Sequence, residues 1–212
     1  MKKTVVSIIL SLALLLPVFA SFALAASLPF KDVKKGKWYY SAVEKVYTEG
    51  VMNGLKSDVF APDEKMTRAQ LVTIICRLSG DEIKGLGQDL AFSDTKKNAW
   101  YSDYLGWAVR DGVIAGYPDN TFKPNSPVTR AELAVVFARY FAGREIYLAD
   151  APLTDSFTDG SKIAKWARDA VETIRLCGII AGDKTGNFNP SSSATRAEIA
   201  MMITRYLSAA SL

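Results

Sequence analysis

Residues 112–133 read GVIAGYPDNTFKPNSPVTRAEL, and this stretch decides the fold. Its last third is a helix start. Thr129 stands three residues before Glu132, the spacing of a capping box, in which hydroxyl and carboxylate each satisfy a backbone N–H. Beyond it, Leu133, Val136, Phe137 and Tyr140 fall at 0, +3, +4 and +7, one face of a helix. Its first residue, Gly112, suits a helix C-terminus. Before it, Leu105, Ala108 and Val109 form the apolar stripe of an earlier helix that begins near Trp100. Between the two lies turn chemistry, GYPDNTF. The unit is helix, loop, helix.

The same pattern occurs three times. Residues 50–71 read GVMNGLKSDVFAPDEKMTRAQL and residues 178–199 read GIIAGDKTGNFNPSSSATRAEI. Upstream of each stand Phe-x-Asp (Phe30/Asp32, Phe92/Asp94, Phe157/Asp159) and a tryptophan (Trp38, Trp100, Trp166). Each unit then carries Phe-x-Pro, at Phe60, Phe122 and Phe188. From the mid-unit glycine (Gly54, Gly116, Gly182) to the arginine that follows the capping threonine is 14 residues in all three. The second-helix stripes are Leu71/Ile74/Ile75/Leu78 and Ile199/Met202/Ile203/Tyr206 in the outer units. The first-helix stripes there are Ala42/Val43/Val46/Tyr47 and Ala170/Val171/Ile174. One helical hairpin cannot bury its own core, so the three must pack together. The units span 28–80, 91–142 and 156–209. The connectors 79–91 and 142–156, rich in Gly, Asp and small residues, have room for a turn of helix and no repeated chemistry.

Residues 1–25 read as an export signal. Lys2 and Lys3 precede an apolar run over 5–16, Pro17 breaks it, and Ala23-Leu24-Ala25 is a small-x-small cleavage site. Residues 5–26 are long enough to act as an uncleaved anchor instead, but Pro17 and the small residues favour cleavage after Ala25. The mature chain is then secreted, with no membrane segment. Its charge falls from +4 to +2 on losing the two lysines, too little for a nucleic-acid binder. The chain has no histidine, which excludes any triad or proton shuttle built on imidazole. No metal or cofactor motif is present; the turn acids are too few and too irregular for a calcium loop. Cys76 and Cys177 are the only cysteines, and sequence leaves open a single bridge or two free thiols.

The informative oddity is Arg68, Arg130 and Arg196 at the first helical position. A cation there opposes the macrodipole at about 0.3–1 kcal/mol, and a rule broken three times marks a candidate site. Helix N-termini favour anions, and an adjacent guanidinium adds a clamp for carboxylate or phosphate. The structural alternative is an ion pair with an acid of a neighbouring unit, such as Asp32 or Glu49. Gln70, Glu132 and Glu198 are caps first and hydroxyl acceptors second. Trp38, Trp100 and Trp166 fit either core or a platform for sugar rings; Trp107 lies outside the repeat. Phe60, Phe122 and Phe188 read as core plugs. Arg77, Arg139 and Arg205 suit the helix ends through the macrodipole.

Phe-x-Asp, the tryptophan and the long Gly-to-TRAE stretch resemble S-layer homology (SLH) domains in their triple arrangement, over residues 30 to about 207. The resemblance implies an all-α, pseudo-threefold spindle with ligand grooves between units. It implies cell-wall localisation and non-covalent binding of a secondary wall polysaccharide carrying a pyruvate ketal, with Arg68, Arg130 and Arg196 central. Gln70, Glu132, Glu198 and the three tryptophans complete the expected ligand-binding set. Unit 1 departs in TRAQ and GLKSD. Unit 3 has an extra residue before Trp166 and no aromatic beside it. The grooves are therefore expected to differ, with unit 2 matching best. The competing reading is a surface-layer protein acting by protein–protein assembly. An enzyme on wall glycan is disfavoured, because caps and turns already explain the repeated acids. No cargo domain is apparent, so what the anchor carries stays open.

Overall fold

The computed structural model describes residues 28–144, 146 and 156–210. The segment expected to be an export signal and most of the second connector lie outside the described residues. The chain is all-α, with helices α1 (Tyr40–Thr48), α2 (Arg68–Ser79), α3 (Ser102–Arg110), α4 (Arg130–Gly143), α5 (Arg168–Leu176) and α6 (Arg196–Ala209). Short 3-10 turns occur at Leu86–Asp89, in the first connector, and at Gly160–Lys162 and Lys165–Ala167.

The second helix of each unit starts where its capping box puts it. Thr67, Thr129 and Thr195 accept from the third-residue amide, and Gln70, Glu132 and Glu198 reach back to the threonine N–H. Gly50, Gly112 and Gly178 follow the first helices in the left-handed region (φ +70°, +67°, +68°), as a helix stop requires.

The Phe-x-Asp and Phe-x-Pro motifs are two halves of one clamp. Asp32 accepts from the Phe60 and Ala61 amides at 2.9 and 2.6 Å. Asp94 does the same for Phe122 and Lys123, and Asp159 for Phe188 and Asn189. The middle residue of each Phe-x-Pro is left-handed, with φ of 60°, 57° and 56° at Ala61, Lys123 and Asn189. Backbone of this kind before proline costs roughly 1–3 kcal/mol and persists only where it is held; the aspartate holds it. The phenylalanines Phe60, Phe122 and Phe188 are fully buried, as expected of core plugs. A Cβ on Gly54 or Gly116 would overlap the ring of Phe30 or Phe92.

The units close on one another. Val128 N donates to Met66 O (2.9 Å), Met66 N to Ala194 O (3.0 Å) and Ala194 N to Val128 O (3.0 Å), a ring of three bonds through three buried residues. Around it, α2 packs on α3, α4 on α5, and α6 on α1. The second helix of each unit thus lies on the first helix of the next, and the third unit meets the first. The apolar faces merge into a single core.

Two sequence expectations need correction. Trp38, Trp100 and Trp166 are 58–62% exposed, so the core alternative fails for them. They sit two residues before a helix, and the next residue (Tyr39, Tyr101 or Ala167) takes the inward position. Trp107 is completely buried, whereas Val109, one step past the stripe through Tyr101, Leu105 and Ala108, is 41% exposed. Of the two alternatives left open for the cysteines, the bridge does not form: Cys76 is buried, Cys177 is half-buried, and no disulfide joins them.

Candidate functional site

Each arginine is a cross-unit clip. Arg68 Nε donates to Phe122 O (2.7 Å) and Nη2 to Ala115 O (3.2 Å). Arg130 reaches Phe188 O (2.7 Å) and Ala181 O (3.1 Å). Arg196 reaches Phe60 O (2.7 Å) and Asn53 O (2.6 Å). Each guanidinium also lies over the phenylalanine of the next unit, 4.6 to 5.2 Å from the ring centroid. Arg68 and Arg196 are 4% and 3% exposed.

The helix N-termini are not open anion sites. Arg68 N and Ala69 N donate to Ser126 O and Pro124 O, Arg130 N and Ala131 N to Ser192 O and Pro190 O, and Arg196 N and Ala197 N to Glu64 O and Pro62 O. With the third amide on the capping threonine, the backbone donors are filled by protein. The arginine's ion-pair partner also differs from the expected Asp32 or Glu49. Arg68 Nη1 lies 3.5 Å from Glu132 Oε1, and Arg130 Nη1 lies 3.5 Å from Glu198 Oε1. These are the capping acids of the next unit. Asp32 is occupied by backbone amides, and Glu49 pairs with Lys45.

Each of these arginines also lines a groove, and each groove draws on all three units. The first groove combines Arg68 of unit 1, Tyr117, Glu132 and Arg139 of unit 2, and Trp166 of unit 3. The second combines Arg130, then Asp183, Glu198 and Arg205, then Trp38 and Lys65. The third combines Arg196, then Asn53, Gln70 and Arg77, then Trp100. The nine residues singled out in the sequence are therefore distributed three to a groove, in cyclic order.

Sequence reasoning missed Arg77, Arg139 and Arg205 as groove residues. The signal was present: each stands seven residues after Gln70, Glu132 or Glu198, on the same helix face. The turn residues beside the mid-unit glycine, Asn53, Tyr117 and Asp183, were missed too, because a turn has no periodicity to show which way it faces.

Electrostatics follow from burial. Burial lowers the Arg196 pKa to about 10, opposed by Asp32. Burial also lowers that of Arg130, opposed by Glu198, Asp183 and Asp159. Burial works against the Glu132 carboxylate, but the Thr129 amide and hydroxyl, the Tyr117 hydroxyl and Arg68 together hold its pKa below the usual value. The Tyr117 hydroxyl donates to Glu132 at 2.6 Å, and burial and this bond push its pKa up to about 12. The grooves therefore present fixed cations, hydrogen-bonding groups and one exposed indole face each. That set suits an anionic group attached to a ring with an apolar face. Among the described residues no helix is long and apolar enough to cross a membrane.

Comparison with known proteins agrees with the repeat structure. The S-layer homology domain model matches residues 29–72, 91–134 and 156–200. The chain is 27% identical over 212 residues to an endoglucanase of Bacillus sp. (strain KSM-635), covering 97% of this chain and 22% of that one. It is 37% identical over 114 residues to the surface-layer 125 kDa protein of Lysinibacillus sphaericus, covering 52% of this chain and 10% of the relative. It is 30% identical over 120 residues to the cellulosome-anchoring protein of Acetivibrio thermocellus, covering 54% and 26%. The chain thus spans about a quarter or less of the length of these relatives, which differ in name but share this segment. With three matched segments spanning well over half of its length, the chain belongs to the S-layer homology domain family.

Proposed function

We propose that this chain is a non-catalytic anchoring module that holds an anionic, pyruvylated secondary cell-wall polysaccharide in the grooves between its units. Its place is the cell surface, in keeping with its family and its surface-layer relatives. The observation that carries the reading is the threefold recurrence of one composite groove, a guanidinium edge from one unit and an exposed tryptophan from another. Three exposed tryptophans at equivalent positions are costly to leave in water without a partner. In each groove, Arg68, Arg130 or Arg196 supplies the charge, with the second arginine seven residues past the cap. Glu132 and Glu198 accept from ligand hydroxyl groups, Gln70 offers an N–H donor, and Trp166, Trp38 and Trp100 cover a ring face.

Co-sedimentation with purified Gram-positive wall sacculi, intact or stripped of ketal by mild acid, tests this. Binding to intact sacculi that is lost with the pyruvate is the expected result. Equal binding to both overturns the anionic part of the reading. Binding to neither overturns the glycan reading and favours assembly with other surface-layer copies.

A further inference from the structure

The three grooves differ in charge at one equivalent position. In the first groove Glu132 stands beside Arg68, and in the second Glu198 stands beside Arg130, each at 3.5 Å. In the third groove the position is Gln70, and among the described residues no carboxylate lines the groove. Among the described residues the Arg196 side chain bonds carbonyl oxygens, those of Phe60 and Asn53. Gln70 Oε1 accepts from the Thr67 amide at 3.0 Å, so its free end is an N–H donor. Arg77 is exposed on the same helix face, seven residues on. The first groove carries two arginines against one acid. The second carries three cations against two acids. The third carries two arginines against none. Asp32 lies behind Arg196 on the Phe60 amide, but Asp94 and Asp159 occupy the same place behind the other grooves.

From this juxtaposition we infer that the groove joining units 3 and 1 is the strongest anion-binding groove of the three, with Gln70 as the residue that sets its preference. Its ligand class is a glycan residue bearing a carboxylate. Grooves with a glutamate in that place already hold an internal counter-ion, and an incoming carboxylate meets a like charge there. In the third groove the ligand's carboxylate takes the place that a glutamate fills beside the arginine in the other two. The lowered pKa of Arg196, at about 10, leaves it charged at neutral pH. This reverses the ranking by sequence match, which favours unit 2. It rests on the reading that the grooves bind wall glycan.

The tryptophans make the test groove-specific. Trp166, Trp38 and Trp100 each line a different groove, and buried Trp107 is an internal control. The 15N-labelled chain is titrated with a methyl hexoside carrying a 4,6-linked pyruvate ketal, and separately with the same glycoside lacking the ketal. The four indole N–H resonances are followed, assigned by single Trp→Phe variants. The expected result is that Trp100 saturates at about tenfold lower ketal concentration than Trp38 and Trp166. The neutral glycoside shows no such preference. Gln70→Glu, which keeps the capping box found in the other units, removes the advantage, and Glu132→Gln moves Trp166 toward the Trp100 value. If Trp38 and Trp166 respond at the same or lower concentration than Trp100, or Gln70→Glu changes nothing, the proposal fails while the groove reading stands. If none of the three exposed indoles responds to either glycoside, the groove reading itself fails.

Discussion

Arg68, Arg130 and Arg196 do two jobs with one side chain. Nε and Nη2 donate to a carbonyl pair in the next unit, and the same side chain lines a groove. This explains why arginine sits where the macrodipole disfavours a cation: the local loss is outweighed by two bonds across a buried junction. Lysine carries the same charge but lacks the fork to bond both carbonyls and still face outward. Arg68→Ala leaves Phe122 O and Ala115 O without this donor and Glu132 without its cation. It is expected to lower unfolding free energy by about 2–4 kcal/mol, read as a shift of the urea midpoint. A midpoint within error of the unsubstituted chain would contradict the clip. Loss of wall binding in such a variant would therefore not by itself identify a ligand contact.

At the scale of elements, one junction carries an extra lock. Asp81, just after α2, accepts from Trp107 Nε1 of α3 at 2.7 Å and pairs with Arg144 at the end of α4. Arg144 also reaches Asp111 at 3.1 Å. The Arg144 bond above all, aided by Trp107, holds the Asp81 pKa at about 2 against the opposing effect of burial. A carboxylate whose folded pKa lies below its unfolded value stabilises the fold above the unfolded pKa, near 3.9. That stability is lost as pH falls from about 4 toward 2. Asp81→Asn is expected to be less stable at pH 6 and to lose less on acidification across that window. Parallel stability curves for the two chains would contradict the lock.

The same scale shows what was legible in advance. Helices α2, α4 and α6 were readable because Thr-x-x-Glu/Gln and the 3.6-residue stripe are local. The starts of α1, α3 and α5 were less so, since Tyr39, Tyr101 and Ala167 make no side-chain cap. The adjacent pairs Trp38–Tyr39 and Trp100–Tyr101 lie in turns, where no period tells which ring points inward. The lock was illegible for another reason: Trp107 and Arg144 have no counterpart at those places in the other units, so the repeat gave no hint of it.

At the scale of the molecule, the described parts of the three units close on one another, and that closure makes the grooves. The Met66–Ala194–Val128 bonds join residues far apart in sequence, so no local pattern announces the closure. What the sequence does announce is the repeat itself, and three incomplete hairpins have few ways to bury their faces. Closure brings the arginine of one unit, the capping residue of the next and the tryptophan of the remaining one to a common groove. Such a site cannot survive in an isolated unit. One separation remains: the arginines both hold the fold and line the grooves, whereas the tryptophans line the grooves and are exposed.

That separation supplies the most direct measurement. Trp38→Ala, Trp100→Ala and Trp166→Ala are combined in one chain, and its co-sedimentation with pyruvylated sacculi is compared with that of the unsubstituted protein. Circular dichroism and the urea midpoint serve as controls on folding. Because the three side chains are largely exposed, each change is expected to alter stability by no more than about 0.5 kcal/mol. The account predicts a folded protein that no longer pellets with the wall. A folded variant that pellets as well as the original would contradict the claim that these grooves hold the polymer.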